Sequence, residues 1–174
     1  MRLPPLPAVD HTCPACGFSY AAGGLDDSLL AVHAGVAALR DSLTGAGDEV
    51  RRRPAGGGWS AVEYLAHVRD VLVTSSLRLH RVIHEDRPVL EPMYNDWRAA
   101  RLRYADEDVP ALLDQLGRAA NALAEEVASV REGTWARTGG RYPDEQRPAT
   151  WFVRHAAHEV THHLQDVRAR LAGA

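Results

Sequence analysis

Four stretches of this chain space their apolar residues three and four apart, and a stripe of that kind buries itself as an amphipathic helix packed on other helices. The first stripe is Leu29, Val32, Val36, Leu39 and Leu43, with the capping residues Asp26, Asp27 and Ser28 before it and a stop at Gly45 after it. The second is Leu65, Val68, Leu72, Leu79 and Ile83; Ser60 and Glu63 have capping-box spacing at its start, and Pro88 and Pro92 bound its end. A short helix is expected to follow Asn95-Asp96 and run to Tyr104. The third stripe (Leu112, Leu116, Ala119, Leu123, Val127, Val130) begins near Asp108, with Pro110 in its first turn. A loop rich in Gly, Arg and Pro over 133–148 leads to the fourth, from Thr150 to Leu171, with Val153, Val160, Leu164, Val167 and Leu171 inward. No strand pattern or fixed-period repeat competes with this reading. The expected architecture is all-α: a four-helix bundle over residues 25–174, behind an irregular extension, residues 1–24, punctuated by Pro4, Pro5, Pro7, Pro14, Gly17, Gly23 and Gly24.

A length of 174 residues suits one hydrophobic core, and 45% hydrophobic with 25% charged residues is ordinary for a globular domain. The net charge of -3 and the lack of a basic arm with interleaved aromatics argue against nucleic acid as a partner. No apolar run approaches the ~18 residues that span a bilayer, and Met1 to Asp10 has no apolar signal core. The expectation is a cytoplasmic protein with no membrane partner. A reducing compartment argues against a disulfide between Cys13 and Cys16, the only cysteines. All 20 basic residues are arginine, which reads as the codon bias of a GC-rich, actinobacterial-type genome.

The fourth helix carries His155, His158, His162 and His163. At about 100° per residue, His158 and His162 fall about 40° apart and one turn above one another, the spacing at which two imidazoles hold one ion. His155, Trp151 and Asp166 share that side, opposite the stripe centred on Val160 and Leu164. Surface faces usually carry Glu, Lys and Arg, so three imidazoles and a tryptophan point to metal ligation. The third ligand read from the residues is His67, at the rim of the second stripe, with Glu63 one turn earlier to hydrogen-bond its other ring nitrogen. His158-Glu159-Val160-Thr161-His162 also satisfies H-E-x-x-H, in which Glu159 would be the general base of a zinc hydrolase. Downstream, Asp166 is the only carboxylate, and the longer metzincin pattern is absent.

In the extension, His11-Thr12-Cys13-Pro14-Ala15-Cys16-Gly17-Phe18 reads as one knuckle of a zinc ribbon, its glycine permitting a turn that aims both thiolates at one ion. Two more ligands are needed. The helical pair His80 and His84 offers them, with His11 as another candidate; the alternative is a free CxxC turn. A thioredoxin-like role fits badly, because the motif neither follows a strand nor opens a helix.

Two segments together resemble the DinB/YfiT-like superfamily of metal-binding bundles: Trp59-Ser60-Ala61-Val62-Glu63-Tyr64-Leu65-Ala66-His67, and His158-Glu159-Val160-Thr161-His162-His163-Leu164-Gln165. They match W-S-x-x-E-x-L-x-H and H-x-x-x-H-x-x-Q in order and on the corresponding helices, and the resemblance covers about residues 25–172. It implies up-down-down-up connectivity, a divalent ion (zinc, or nickel in some members) on His67, His158 and His162, and frequent homodimers. It also implies thiol chemistry, because relatives include S-transferases and a maleylpyruvate isomerase that use mycothiol, bacillithiol or glutathione. An actinobacterial source points to mycothiol.

The first functional reading is therefore a metal-dependent thiol transferase or isomerase, whose partners are a small-molecule thiol and an electrophile. A metal with an open position lowers the pKa of a bound thiol, and Arg69 or Arg154 are candidates to hold carboxylates. The second is a non-catalytic metal- or small-ligand-binding module. The third is a zinc hydrolase with Glu159 or Asp166 as base.

Overall fold

Residues 3–173 are described by the computed structural model. Its elements are α1 (Leu25–Leu43), α2 (Ala61–His84), the short α3 (Asn95–Arg101), α4 (Val109–Ser129), a hairpin of β1 (Thr138–Gly139) and β2 (Arg147–Pro148), and α5 (Ala149–Leu171). Local chemistry explains most of the boundaries. Glu63 Oε2 accepts from the Ser60 amide at 2.9 Å and from the Ser60 hydroxyl at 2.8 Å, closing the expected capping box of α2. Asp108 caps α4 by accepting the Ala111 amide at 2.9 Å, with Pro110 in the first turn. α1 starts slightly earlier than its acidic pair suggested: Gly24 is the cap, and Asp27 reaches back to the Gly24 amide at 2.7 Å. The hairpin pairs Thr138 with Pro148 and Gly139 with Arg147. Strands this short carry no readable period, so the pattern gave no sign of them.

The long helices each pack on two others: α1 and α2 both lie against α4 and α5, which places α1 and α2 at opposite corners. Cross-helix pairs give the directions. The start of α2 meets the end of α5, where Arg170 donates to the Trp59 carbonyl, so those two are antiparallel. Arg69 meets Gln115 near the starts of α2 and α4, and His80 meets Glu126 near their ends, so those two are parallel. Arg40, late in α1, reaches Asp114, early in α4. The connectivity is thus up-down-down-up, as the resemblance implied.

The main core is built from the predicted stripes of all four long helices. Within it, a Cβ on Gly35 would meet Val160 Cγ1 at 2.4 Å, so a glycine is what lets α1 approach α5 here. A second cluster joins Leu79, Val82, Leu90, Trp151, Phe152 and Val153 to Tyr20 of the extension. Tyr20 is fully buried. The extension is held on the fold by polar contacts as well: Leu6 donates to Glu145 at 2.6 Å, Arg147 to the Pro7 carbonyl at 2.8 Å, and Arg154 to the Tyr20 carbonyl at 2.8 Å.

One buried charge cluster braces α2 against α3 and α4. Asp70 accepts from the Tyr104 hydroxyl and Arg98 Nε, both at 2.5 Å, and from Arg69 Nε at 2.8 Å. Arg69 also reaches Glu107 at 3.0 Å and Gln115 at 2.7 Å. Burial pushes the Asp70 carboxyl up, but Tyr104, Arg98 and Arg69 outweigh it and hold it below its ordinary value.

Candidate metal centre

The sequence His158-Glu159-Val160-Thr161-His162-His163 contains two pairs four residues apart, His158 with His162 and Glu159 with His163, rotated by about 100° from each other. In the fold they face different neighbours. Glu159 and His163 turn toward α2, where they meet His67; the three ligand atoms lie within 4.8 Å of one another. Glu159 Oε2 stands 3.7 Å from His67 Nε2 and 3.4 Å from His163 Nε2. His158 and His162 turn toward the extension, where their ligand atoms gather within the same reach of Cys13 and Cys16.

No such group among the described residues unites His67 with His158 or His162, the triad expected from sequence, although two further groups, His155 with His158 and Glu159, and His162 with His163 and Asp166, link the two sides. His67 belongs with Glu159 and His163, and the imidazole pair read as its partner faces the cysteines. The physical reason is the helical rotation between adjacent residues: stepping from 158 to 159 moves the ligand from one neighbour of α5 to another. The expected partners of the knuckle are also replaced. His80 pairs with Glu126 at 3.1 Å and packs on His84 with ring centroids 4.4 Å apart, away from the cysteines. His11 packs on Tyr20, with ring centroids 6.1 Å apart.

Each ring of the bundle group is oriented by something identifiable. His163 Nδ1 bonds Asp166 at 2.8 Å, which leaves Nε2 turned to Glu159. Asp166 thus sits one contact behind His163. Trp59 packs edge-on against His67 at 5.1 Å, and Tyr64 lies 5.3 Å from His163. Glu63, expected to hold the second nitrogen of His67, is instead committed to Ser60 and to Arg53, whose Nε donates to it at 2.9 Å. A side chain capping its own helix start cannot also reach a ring one turn onward, and His67 Nδ1 is buried with no partner among the described residues.

Electrostatically the centre is Glu159. Desolvation raises it, but imidazoles on several sides, His155, His158, His163 and His67, pull it well below the usual carboxylate range. His163 shows the reverse balance: burial lowers it, while Asp166 and Glu159 raise it to about 9. His155, by contrast, is dominated by burial and sits near 4; it bonds the Tyr20 hydroxyl at 2.7 Å and stacks on Trp151 at 4.5 Å.

The donor set fits a divalent ion. Two imidazole nitrogens and one carboxylate oxygen approach one another without hydrogen bonds that would exhaust them, a pattern suited to zinc, nickel, iron or manganese. A cleft of about 270 Å³ opens beside them, lined by His67, Glu159 and His155 together with Ser75, Arg78 and Arg141. Arg78 is pressed down to about 10 by burial and by the neighbouring Arg141. The two arginines named from sequence are engaged elsewhere. Arg69 belongs to the Asp70 cluster, and Arg154 donates to the carbonyls of Tyr20 and Gly23.

Sequence reasoning missed His163, Arg78 and Arg141. The signal for His163 was present, a carboxylate four residues before it and Asp166 three after. Nothing in the sequence marked the two arginines out of twenty.

The class this defines is a four-helix bundle of up-down-down-up connectivity in which His and carboxylate side chains from α2 and α5 converge on a candidate metal site. The chain belongs to the DinB superfamily, whose family model matches residues 29–167. No curated protein sequence matches it significantly. Among solved structures it is similar to YfiT from Bacillus subtilis, described as a probable metal-dependent hydrolase with an unusual four-helix bundle topology. The TM-score is 0.71 at 16% identity, over 86% of this chain and 89% of that one. It is also similar to a mutant of the mycothiol-dependent maleylpyruvate isomerase, with a TM-score of 0.67 at 17% identity, over 83% of this chain and 61% of that one. At these identities the likeness is one of fold. Among the described residues no helix is long and apolar enough to cross a membrane.

Proposed function

We propose that this chain is a metal-dependent thiol transferase or isomerase whose ion is held by His67, Glu159 and His163, and whose electrophilic substrate is anionic. The observation that carries the reading is the cleft. It brings two of the three ligand-bearing residues, His67 and Glu159, together with two guanidinium groups, Arg78 and Arg141, in one concavity. A divalent ion there would lower the pKa of a bound thiol and so supply a thiolate at neutral pH. The protein's own residues do the rest. Asp166 fixes the ring of His163, Trp59 and Tyr64 wall off the far side of the imidazoles, and Arg78 and Arg141 orient a carboxylate of the substrate. Arg141 is itself braced by Glu145 at 3.0 Å, which holds it in place at the rim. Mycothiol is the thiol we favour, from the arginine-only composition and from the mycothiol dependence of the similar isomerase.

A peptidase reading of the H-E-x-x-H segment is disfavoured by its own geometry. Its two histidines face Cys13 and Cys16, and Glu159 is surrounded by imidazoles that suppress its basicity.

The test offers the metal-loaded protein mycothiol and an anionic electrophile, and follows conjugate or isomer formation. Turnover should vanish on chelation and in His67→Ala. Arg78→Ala should raise KM for the anionic electrophile and leave KM for an uncharged analogue unchanged. Turnover that survives removal of the metal would overturn the proposal; bound metal with no turnover of any thiol would favour a binding module instead.

A further inference from the structure

We propose that Cys13, Cys16, His158 and His162 form a second, structural zinc site that fastens the amino-terminal extension to α5. The four residues offer two thiolates and two imidazoles whose ligand atoms all lie within 4.8 Å of one another, with Cys13 and His158 buried. Cys13 Sγ is 3.7 Å from His162 Nδ1. A closed Cys2His2 set is the donor combination of structural zinc, and its two thiolate charges balance the ion, so the filled site is neutral where it is buried.

Three independent features prepare it. The knuckle is formed by backbone bonds: the Cys13 amide donates to the Phe18 carbonyl at 2.9 Å and the Gly17 amide to the Cys13 carbonyl at 2.8 Å, with Gly17 at φ +75. His158 is only 8% exposed, and its Nε2 is buried with no partner among the described residues, while its Nδ1 bonds Glu159 at 3.0 Å. An orphaned imidazole nitrogen turned from its carboxylate partner is the arrangement of a metal-ligating histidine. His162 is placed in the same way, with Nδ1 toward Cys13 and Nε2 3.7 Å from Asp166.

A disulfide between Cys13 and Cys16 would leave His158 Nε2 unsatisfied, and both cysteines are free thiols in the structure. The four-residue site satisfies every donor at once. Its outer partners also serve the bundle group, Glu159 as a ligand there and Asp166 as the carboxylate behind His163, so the two sites adjoin.

The experiment uses the full chain carrying His67→Ala and His163→Ala, which disables the bundle group and keeps the knuckle intact. Reduced protein is loaded with zinc, desalted and studied by X-ray absorption. The expected result is one zinc per chain with two sulfur neighbours at about 2.3 Å and two nitrogens at about 2.0–2.1 Å. A shell of nitrogen and oxygen alone, or folded reduced protein that retains no zinc, would overturn the proposal. If that variant does not fold, cobalt-loaded wild-type protein gives the second reading. A thiolate-to-cobalt charge-transfer band that disappears in Cys13→Ser/Cys16→Ser and persists in His80→Ala/His84→Ala supports the site; its absence from wild type overturns it. The sulfur signal belongs to the knuckle alone, so its failure is distinct from failure of the thiol-transferase reading.

Discussion

The two buried polar clusters rooted in α2 differ in one respect. Around Asp70 every strong group is answered from within the protein: the carboxylate by Tyr104, Arg98 and Arg69, and Arg69 in turn by Glu107 and Gln115. Around Glu159, one turn of α2 away, the rings of His67 and His158 each keep a buried nitrogen with no partner among the described residues. Desolvating a polar group without a hydrogen bond costs about 1–3 kcal/mol, so a fold retains such groups where something else completes them. The first cluster is a closed brace, and the second is the candidate site.

That contrast can be broken by substitution. The largest expected effect is on the brace: Asp70→Asn should lower unfolding free energy by about 2–3 kcal/mol, the cost of breaking a buried ion pair discounted because Arg98 is 37% exposed. Denaturant midpoints measure it, and bound metal per chain should not change. A variant as stable as wild type would show the brace to be ornamental. Next comes Asp166→Ala, which removes the outer partner of His163 and should weaken metal binding at the bundle group by about 10–100-fold, read by competition with a chromophoric chelator. Unchanged affinity would mean that His163 is oriented by packing alone. Smaller still is the effect of His67→Phe on the metal-free protein: an apolar ring of similar shape removes a buried nitrogen that has no partner among the described residues and should change stability by less than about 1 kcal/mol, by the same denaturation assay. A loss as large as that of Asp70→Asn would erase the distinction between the clusters.

The finest test is pH. Asp70 is held below its unfolded value, near 3.9, so its stabilisation is fully present above that value and is lost as pH falls through the folded pKa. The stability gap between wild type and Asp70→Asn should accordingly be constant near neutrality and narrow below about pH 4. A gap that instead widened in acid would assign the effect to another group.

The helices were legible because the information is local. The stripes of α1, α2, α4 and α5, the Ser60–Glu63 box and the Asp108 cap each act within a few residues, and each is found where the pattern put it. His67 was legible as a candidate because it stands at the rim of an apolar stripe, on a helix that packs against the histidine-rich one. His163 was harder: the i, i+4 rule selects a pair, yet α5 offers two such pairs side by side, and the rule does not say which of them faces α2. Glu63 misled for a related reason, since one carboxylate can serve a helix cap or a ring one turn onward and the nearer partner wins.

By itself, then, the chain determined four amphipathic helices, their bundle class and a histidine-rich face on the last of them, all consequences of side-chain periodicity. Tertiary structure decided how that face is shared. The docking of Tyr20 beneath α5 brings Cys13 and Cys16 to His158 and His162, and the packing of α2 on α5 brings His67 to Glu159 and His163. Adjacent residues on a helix point about 100° apart, so only the position of the neighbours could assign each ligand to its partner.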